Sequence, residues 1–320
     1  MNTRITKLLE IKIPILQGPM AFISDCHLAA AVSNAGGAGI LGAAGRDPAW
    51  VEEQIDRTRR LTDRPFGISI PAGLRQEYGD LADQIVDIIC RKKVKFVTLG
   101  AGNPIPLIPK FHDHGILVGG IVPNTRLAKR VEGAGADFLI IEGTEAGGRI
   151  GRQTTLALMT NVIPQISIPV LAAGGFVDGR GLAAARLMGA EGVQIGTRFL
   201  VAEECRVHED YKNGIIAAHD EDNISLGLTR NLGMRGLKSP YTEKYLQLEL
   251  EGVSNETLYE YSAGMSKRIA EKGLGEDGMN GMIQCGQSLE ALSKVQPAKE
   301  ILEEIVSEAE AVLKQASTLV

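Results

Sequence analysis

A short apolar run rich in isoleucine, valine and glycine, followed by a stretch whose apolar residues recur at helical spacing, repeats eight times in the first two thirds of the chain. The runs lie at 13–18, 38–42, 66–70, 96–100, 116–122, 138–143, 170–175 and 192–197, with helical stretches at 26–35, 47–61, 81–92, 125–133, 154–166 and 179–188 among them. Strands apolar on both faces belong to parallel sheets covered by helices, because a sheet with one wet face reads as strict alternation. Asp47 before Pro48, Asn124 and Asp178 stand where helix N-caps belong, and several helices close on glycine. Eight such units predict an α/β chain closed as a (β/α)8 TIM barrel. A doubly wound open sheet is the competing arrangement. The literal G-x-G-x-x-G at Gly37, Gly39 and Gly42 does not favour it, since that fingerprint must follow a strand and open a helix, whereas this one follows a helix and contains a strand.

The repeat stops after position 197. No ninth strand is read, and 211–289, more polar and broken by glycines, is expected to form a small, mainly helical cap inserted after the eighth strand. In 297–317 a leading proline precedes Ile301, Leu302, Ile305, Val306, Ala309, Val312 and Leu313 at three- and four-residue steps, the pattern of an amphipathic helix. The expected division is a cofactor-binding barrel over 1–210, a cap and substrate unit over 211–290 and a helix completing the barrel over 291–320.

Charge and cysteine usage remove several function classes. Lys and Arg sum to 34 against 39 Asp and Glu, a net charge of −5, so no attraction to nucleic acid or to an anionic membrane is expected. Cys26, Cys90, Cys205 and Cys285 form no C-x-x-C pair, which disfavours zinc-ribbon and thioredoxin-like readings and fits reduced thiols. The first residues carry too short an apolar run for a secretory signal, and no stretch reaches the roughly 18 apolar residues of a membrane span. A cytoplasmic protein is expected.

In a barrel the active site forms at the carboxyl ends of the strands, and phosphate commonly binds after the seventh and eighth. Those two ends read Ala172-Ala173-Gly174-Gly175 and Gln194-Ile195-Gly196-Thr197. Paired glycines let backbone N–H groups approach an anion and the Thr197 hydroxyl adds a donor, although small residues also serve merely to shape barrel turns. A bulky residue at Gly174 or Gly196 is therefore expected to weaken ligand binding more than fold stability. Other strand ends carry Gln17 to Met20, Ser69, Gly100 to Asn103 and Glu142 to Arg149, a glycine-rich rim suited to a flat ligand lying against backbone. The five histidines suggest no metal site: His112 and His114, for instance, are spaced to face apart on a helix. No Ser-His-Asp or Cys-His arrangement is legible, so a cofactor is expected to carry the chemistry.

Taken together, Pro14-Ile-Leu-Gln-Gly-Pro-Met20, Ala30-Ala-Val-Ser-Asn-Ala-Gly-Gly37, Thr98-Leu-Gly-Ala-Gly-Asn-Pro104, Glu142-Gly-Thr-Glu-Ala-Gly-Gly148, Pro169-Val-Leu-Ala-Ala-Gly-Gly175 and Gln194-Ile-Gly-Thr-Arg-Phe199 resemble one family over essentially the whole chain. It is the FMN-dependent nitronate monooxygenase and type II enoyl-ACP reductase group. The resemblance implies FMN at the strand ends, its phosphate on Gly174, Gly175, Gly196 and Thr197, and its ring near Gly18, Met20, Ser69, Glu142 and Gln194. Gly147, Gly148 and Gln284 complete the implied cofactor set, and Arg149 is the implied catalytic residue. The tail Gly281 to Gln287 and the stretch from Glu204 and Cys205 through His208 to Tyr211 and Lys212 look more like the reductase branch. That branch implies hydride transfer from NADH or NADPH, through FMN, to the β-carbon of an enoyl thioester on a small molecule or an acyl carrier, and a homodimer is expected. Two positions depart from the pattern: Arg149 stands where the family carries histidine, and Ser69 where it carries asparagine. Arginine keeps its proton at any working pH, so Arg149 suits anion binding and not proton transfer. Nitronate oxidation by O2 is the alternative activity, and a flavin-binding sensor or carrier without turnover is the alternative of a different class.

Overall fold

Burial on both faces makes each of the eight apolar runs a strand of one parallel sheet. They are β1 (Ile15–Gln17), β2 (Gly39–Gly42), β3 (Phe66–Pro71), β4 (Phe96–Gly100), β5 (Leu117–Val122) and β6 (Phe138–Glu142), then, beyond a two-residue strand β7 (Gly148–Arg149) outside the sheet, β8 (Val170–Ala173) and β9 (Gly192–Ile195). This computed structural model describes residues 1–73, 79 and 81–318. Across the sheet the order is β1-β9-β8-β6-β5-β4-β3-β2, and a parallel bridge between Leu16 and Ala38 joins its two edges. The sheet is thus a closed barrel, and the open-sheet alternative falls. The seventh and eighth runs of the sequence are β8 and β9.

Around it stand α2 (Cys26–Asn34), α3 (Pro48–Leu61), α4 (Leu81–Lys92), α5 (Ile108–His112), α6 (Thr125–Gly133), α7 (Thr155–Val162) and α8 (Gly179–Leu187), while α1 (Arg4–Leu9) precedes the first strand and the short α9 (Thr197–Leu200) follows the last. The expected caps form: Asp47, Asn124 and Asp178 accept from the backbone N–H of Trp50, Leu127 and Gly181. Inside the barrel, Phe96 and Phe138 meet edge to face at 5.9 Å, and Ile5 and Leu9 of α1 join the same apolar cluster, which plugs the barrel. All four cysteines are free and buried.

Beyond the barrel come α10 (Glu209–Ala217), β10 (Asn223–Leu226), β11 (Met234–Leu237), α11 (Pro240–Leu250), α12 (Asn255–Ser262), α13 (Met265–Lys272) and finally α14 (Ala298–Ala316). Here the sequence reading needs correction. Strands do follow the eighth: β10 and β11 pair antiparallel, and β11 pairs in turn with β7, placing Met234 opposite Arg149 and Arg235 opposite Gly148. Leu226, Met234, Tyr241, Tyr245, Leu258, Met265 and Met282 give this region its own core. Helix α14 lies against α8 and α2, closing the helical ring. Its approach to α8 is so close that a Cβ on Gly179 would lie 2.4 Å from the Ala309 nitrogen and the Ile305 oxygen. Among the described residues no helix is long and apolar enough to cross a membrane.

Candidate active site

The carboxyl ends of the strands open into one cavity of about 810 Å³, in the upper part of the usual size range for small-molecule sites. Arg149 and the whole implied cofactor set line it, namely Gly18, Met20, Ser69, Glu142, Gly147, Gly148, Gly174, Gly175, Gln194, Gly196, Thr197 and Gln284, whereas Gln17, Gly102 and Asn103 of the expected rim do not. Barrel geometry is the reason, because residues distant in sequence but alike in position after a strand converge on the same rim.

Local hydrogen bonding shapes this rim. Gln17, fully buried at the end of β1, donates through Nε2 to the Gly18 carbonyl and to Ser24 Oγ and accepts from the Ile40 N–H, which fixes the Gly18-Pro19-Met20 turn. After β6, Glu145 receives the Thr155 N–H at 3.0 and 2.9 Å on its two oxygens, and the Thr155 hydroxyl lies 2.9 Å from both Glu145 Oε2 and the Gly174 carbonyl. Glu145 therefore caps α7, where Thr154 provides no side-chain cap, and ties the loop after β6 to the turn after β8. Its carboxylate forms no pair with Arg149. The Arg149 side chain is exposed and makes no ion pair among the described residues, although its backbone is held in the β7–β11 ladder.

The segment before α14 lies across the ends of β8 and β9. Gly286 N–H donates to Thr197 Oγ1 at 2.8 Å, Gln287 N–H to the Glu145 carbonyl at 3.0 Å, and Ser288 Oγ to the Gly175 carbonyl at 2.7 Å. Because Thr197 Oγ1 is the acceptor in its hydrogen bond from the Gly286 N–H, its own O–H stays available to donate to a ligand. The two glycine turns differ in a way the sequence does not reveal. Gly196 has φ −102° and ψ −70°, and a Cβ built there meets nothing within 4 Å. Gly174 has φ +96°, and a Cβ would lie 2.9 Å from Thr155 Oγ1 and 3.0 Å from the Gly143 carbonyl. A bulky residue would thus find open space at Gly196 but a strained and crowded position at Gly174, against the expectation that bulk at either glycine spares the fold.

Two polar side chains on the wall stand out. Gln194 is 5% exposed and its Oε1 is buried without a hydrogen-bond partner. Such an orphaned acceptor costs about 1–3 kcal/mol, so a ligand N–H facing it would recover that energy. Glu142, half-buried at the tip of β6, lines the cavity, and desolvation by its surroundings pushes its carboxyl from 4.5 up to about 7.

Sequence reasoning missed the residues that fasten the cap to this rim. Arg235 on β11 is buried, donating from Nε to the Thr144 carbonyl at 2.7 Å and from Nη1 to Asn223 Oδ1 at 2.5 Å, while Asn223 Nδ2 reaches the Gly286 carbonyl at 3.1 Å. Burial lowers the Arg235 pKa, an effect opposed by the charge of Glu145. Tyr211 grips Gln284 twice, donating to its carbonyl and accepting from its N–H, and burial pushes the phenol pKa upward. Of the cap methionines, Met234 and Met265 line the cavity, while Met282 is wholly core.

A family model described as nitronate monooxygenase matches residues 2–308. The chain belongs to that family. It is accordingly a flavin-dependent oxidoreductase. The chain is similar to the structure of FabK from Thermotoga maritima, at 38% identity and a TM-score of 0.93 over 100% of both chains. It is also similar to a probable nitronate monooxygenase of Staphylococcus saprophyticus, 30% identical over 85% of this chain and 89% of that protein. A third relative is the (3aS,4S,5R,7aS)-5-hydroxy-7a-methyl-1-oxo-octahydro-1H-indene-4-carboxyl-CoA dehydrogenase of Rhodococcus jostii, 37% identical over 69% of this chain; the match spans 62% of that protein.

Proposed function

We propose that this protein is an FMN-dependent reductase that passes a hydride from NADH or NADPH to the β-carbon of an enoyl thioester carried on a small molecule or an acyl carrier. The observation that carries the reading is the full-length likeness to FabK, an enoyl-ACP reductase II, together with a cavity that runs from the strand ends to the cap residues Met234, Tyr259 and Met265.

The residues present fit FMN. Gln194 Oε1 is an acceptor without a partner, Gly196 leaves the space of a side chain empty, and Thr197 retains a proton to donate. In this reading Gly174, Gly175, Gly196 and Thr197 hold the phosphate, where backbone N–H groups suit an anion. Gly18, Met20, Ser69, Glu142 and Gln194 hold the ring, with Gly147, Gly148 and Gln284 closing the pocket. The phosphate ends the ligand there and the described residues form no dinucleotide-binding unit for an adenosine half, which favours FMN over FAD. Bound FMN supplies two-electron chemistry between a nicotinamide and an activated alkene. The chain's own part is to position and to stabilise charge. Arg149 directs its guanidinium at the thioester carbonyl or a substrate anion, a preorganised donor where negative charge grows. Met234 and Met265 offer an adaptable apolar wall to the acyl chain. A cytoplasmic location and a homodimer belong to the same reading.

The unpaired cation at Arg149 favours one second activity, oxidation of an anionic nitronate by O2. One anaerobic experiment separates the readings: NADH or NADPH consumption by the FMN-loaded protein with crotonyl-CoA as acceptor is the expected result. Nitronate-dependent O2 uptake without a nicotinamide would replace the reductase reading. Neither activity, with FMN bound, would leave a sensor or carrier.

A further inference from the structure

We propose that Glu142 is the general acid of the reduction, delivering its carboxyl proton to the α-carbon of the enoyl thioester as hydride reaches the β-carbon. The inference rests on the reductase reading above and goes past it, because a cavity that binds flavin and substrate still needs a source for the second hydrogen.

Elimination on this cavity wall leads to the residue. Among the described residues, the titratable groups lining the cavity are Glu142, Glu145, Arg149, Tyr211 and Tyr259. Glu145 is committed to Thr155, with both oxygens accepting its N–H. A guanidinium does not give up its proton at working pH. The Tyr211 hydroxyl is saturated by the backbone of Gln284, donating at 3.1 Å and accepting at 2.8 Å. Tyr259 is 57% exposed on α12. Glu142 alone sits at a strand tip on the cavity wall with no hydrogen bond from its carboxyl to any described residue. The cavity-lining residues of the flanking strands β5 and β8 are the uncharged Ile121 and Ala173, and the cap brings the neutral Ser266 and Gln284. Glu145 and Arg149, on the loop after β6, are the charged groups facing the same space. Neither perturbs Glu142, whose upward shift to about 7 comes from desolvation alone. A carboxylic acid with that affinity is protonated in about half the molecules at neutral pH, the condition that suits a general acid.

The step balances. Hydride forms a C–H bond at the β-carbon, the alkene π pair moves to the α-carbon, the Glu142 O–H bond breaks, and its proton forms the α C–H bond. The carboxylate left behind takes a proton from solvent. The sum is enoyl thioester, NAD(P)H and one proton giving acyl thioester and NAD(P)+.

The test uses the FMN-loaded protein with NADH and crotonyl-CoA. For the parent, kcat should fall as pH rises through neutrality, and turnover in D2O should place deuterium at the α-carbon. Glu142→Gln should lose that pH limb and slow crotonyl-CoA reduction by about 10²- to 10⁴-fold more than it slows flavin reduction by NADH, the range of general acid catalysis. Glu142→Asp should restore part of the rate with the limb displaced. Should the glutamine variant fail to hold FMN, the parent and Asp profiles still decide, because an unshifted limb, or none, overturns the proposal. Parent-like turnover and pH profile in Glu142→Gln overturn it as well, while leaving the reductase reading intact. A parent that reduces no enoyl thioester removes both together.

Discussion

Gly196→Val should separate cofactor binding from folding. Its backbone lies in a region open to any residue, and a Cβ there touches nothing within 4 Å while the residue lines the cavity, so the new side chain would occupy ligand space. The fold should barely register it, within about 0.5 kcal/mol. In the proposed site the valine displaces the phosphate from one or two backbone N–H groups. Hydrogen bonds to a charged group contribute about 1.5–3 kcal/mol each, so a loss of about 1.5–6 kcal/mol is expected, or roughly 10- to 10⁴-fold in Kd. Gly174→Val is the instructive contrast. At φ +96° any L side chain is strained by about 1–3 kcal/mol, and the Cβ crowds Thr155 and Gly143. That variant should lose stability and FMN together. Titration of apoprotein with FMN, followed by flavin fluorescence, and thermal melts of the apo forms read both quantities. If Gly196→Val bound FMN with the parent's Kd, the phosphate site at the ends of β8 and β9 would be wrong.

Arg149→Ala should raise KM about 10- to 100-fold, with a smaller rise for Lys, which keeps the charge but loses the planar fork; Arg149→His should introduce an ionisation near neutral pH in the rate profile. Gly179→Ala should destabilise the protein by about 1–3 kcal/mol in thermal or urea unfolding, because its methyl group collides with α14 and forces the helices apart. Glu142 should make the apoprotein less stable as pH rises. Its folded value of about 7 lies above the ordinary 4.5, so its contribution is full below about 4.5 and is lost as pH climbs through 7. That loss is at most about 3 kcal/mol and smaller where water fills the cavity. Melts of Glu142→Gln against the parent should therefore diverge between pH 5 and about 8 in favour of the glutamine form.

The barrel was legible because burial on both faces leaves continuous apolar runs, and each of the eight predicted runs overlaps a barrel strand. The rim was legible for a related reason: once strands are placed, the residues that follow them share one end, so Gly18, Glu142, Gly174 and Gly196 could be grouped without knowing any contact. What failed was the hairpin. β10 and β11 have four residues each, and β11 reads Met-Arg-Gly-Leu, with an arginine and a glycine where a strand signal needs branched apolar residues. Arg235 is buried there only because Thr144 and Asn223 take its donors, and a glycine at 236 is required because a Cβ would strike the Ile283 carbonyl at 2.3 Å. No local pattern encodes either demand.

That hairpin bears on the chemistry proposed for Arg149. Read from the sequence, Arg149 belongs to a barrel loop, and its position would follow from β6 and the glycines Gly147 and Gly148. In the fold its backbone is a strand of the β10–β11–β7 sheet, opposite Met234, and Arg235 beside Met234 bonds back to Thr144 at the start of the same loop. Arg149 is therefore positioned by the cap as much as by the barrel. A cap that shifts against the rim carries Met234, the proposed acyl-facing wall, together with Arg149, the proposed anion donor, since the two are paired in one antiparallel ladder. Loosening the ladder, as Arg235→Met would by leaving the Thr144 carbonyl and Asn223 without their donor, should then reduce the apparent affinity for substrate through Arg149 while Gly174, Gly175, Gly196 and Thr197, proposed to hold the FMN phosphate, stay in place. A rise in KM for crotonyl-CoA with an unaltered FMN Kd is the expected signature. Loss of FMN in step with substrate would instead mean that the cap fastens the cofactor and that Arg149 takes its position from the barrel alone.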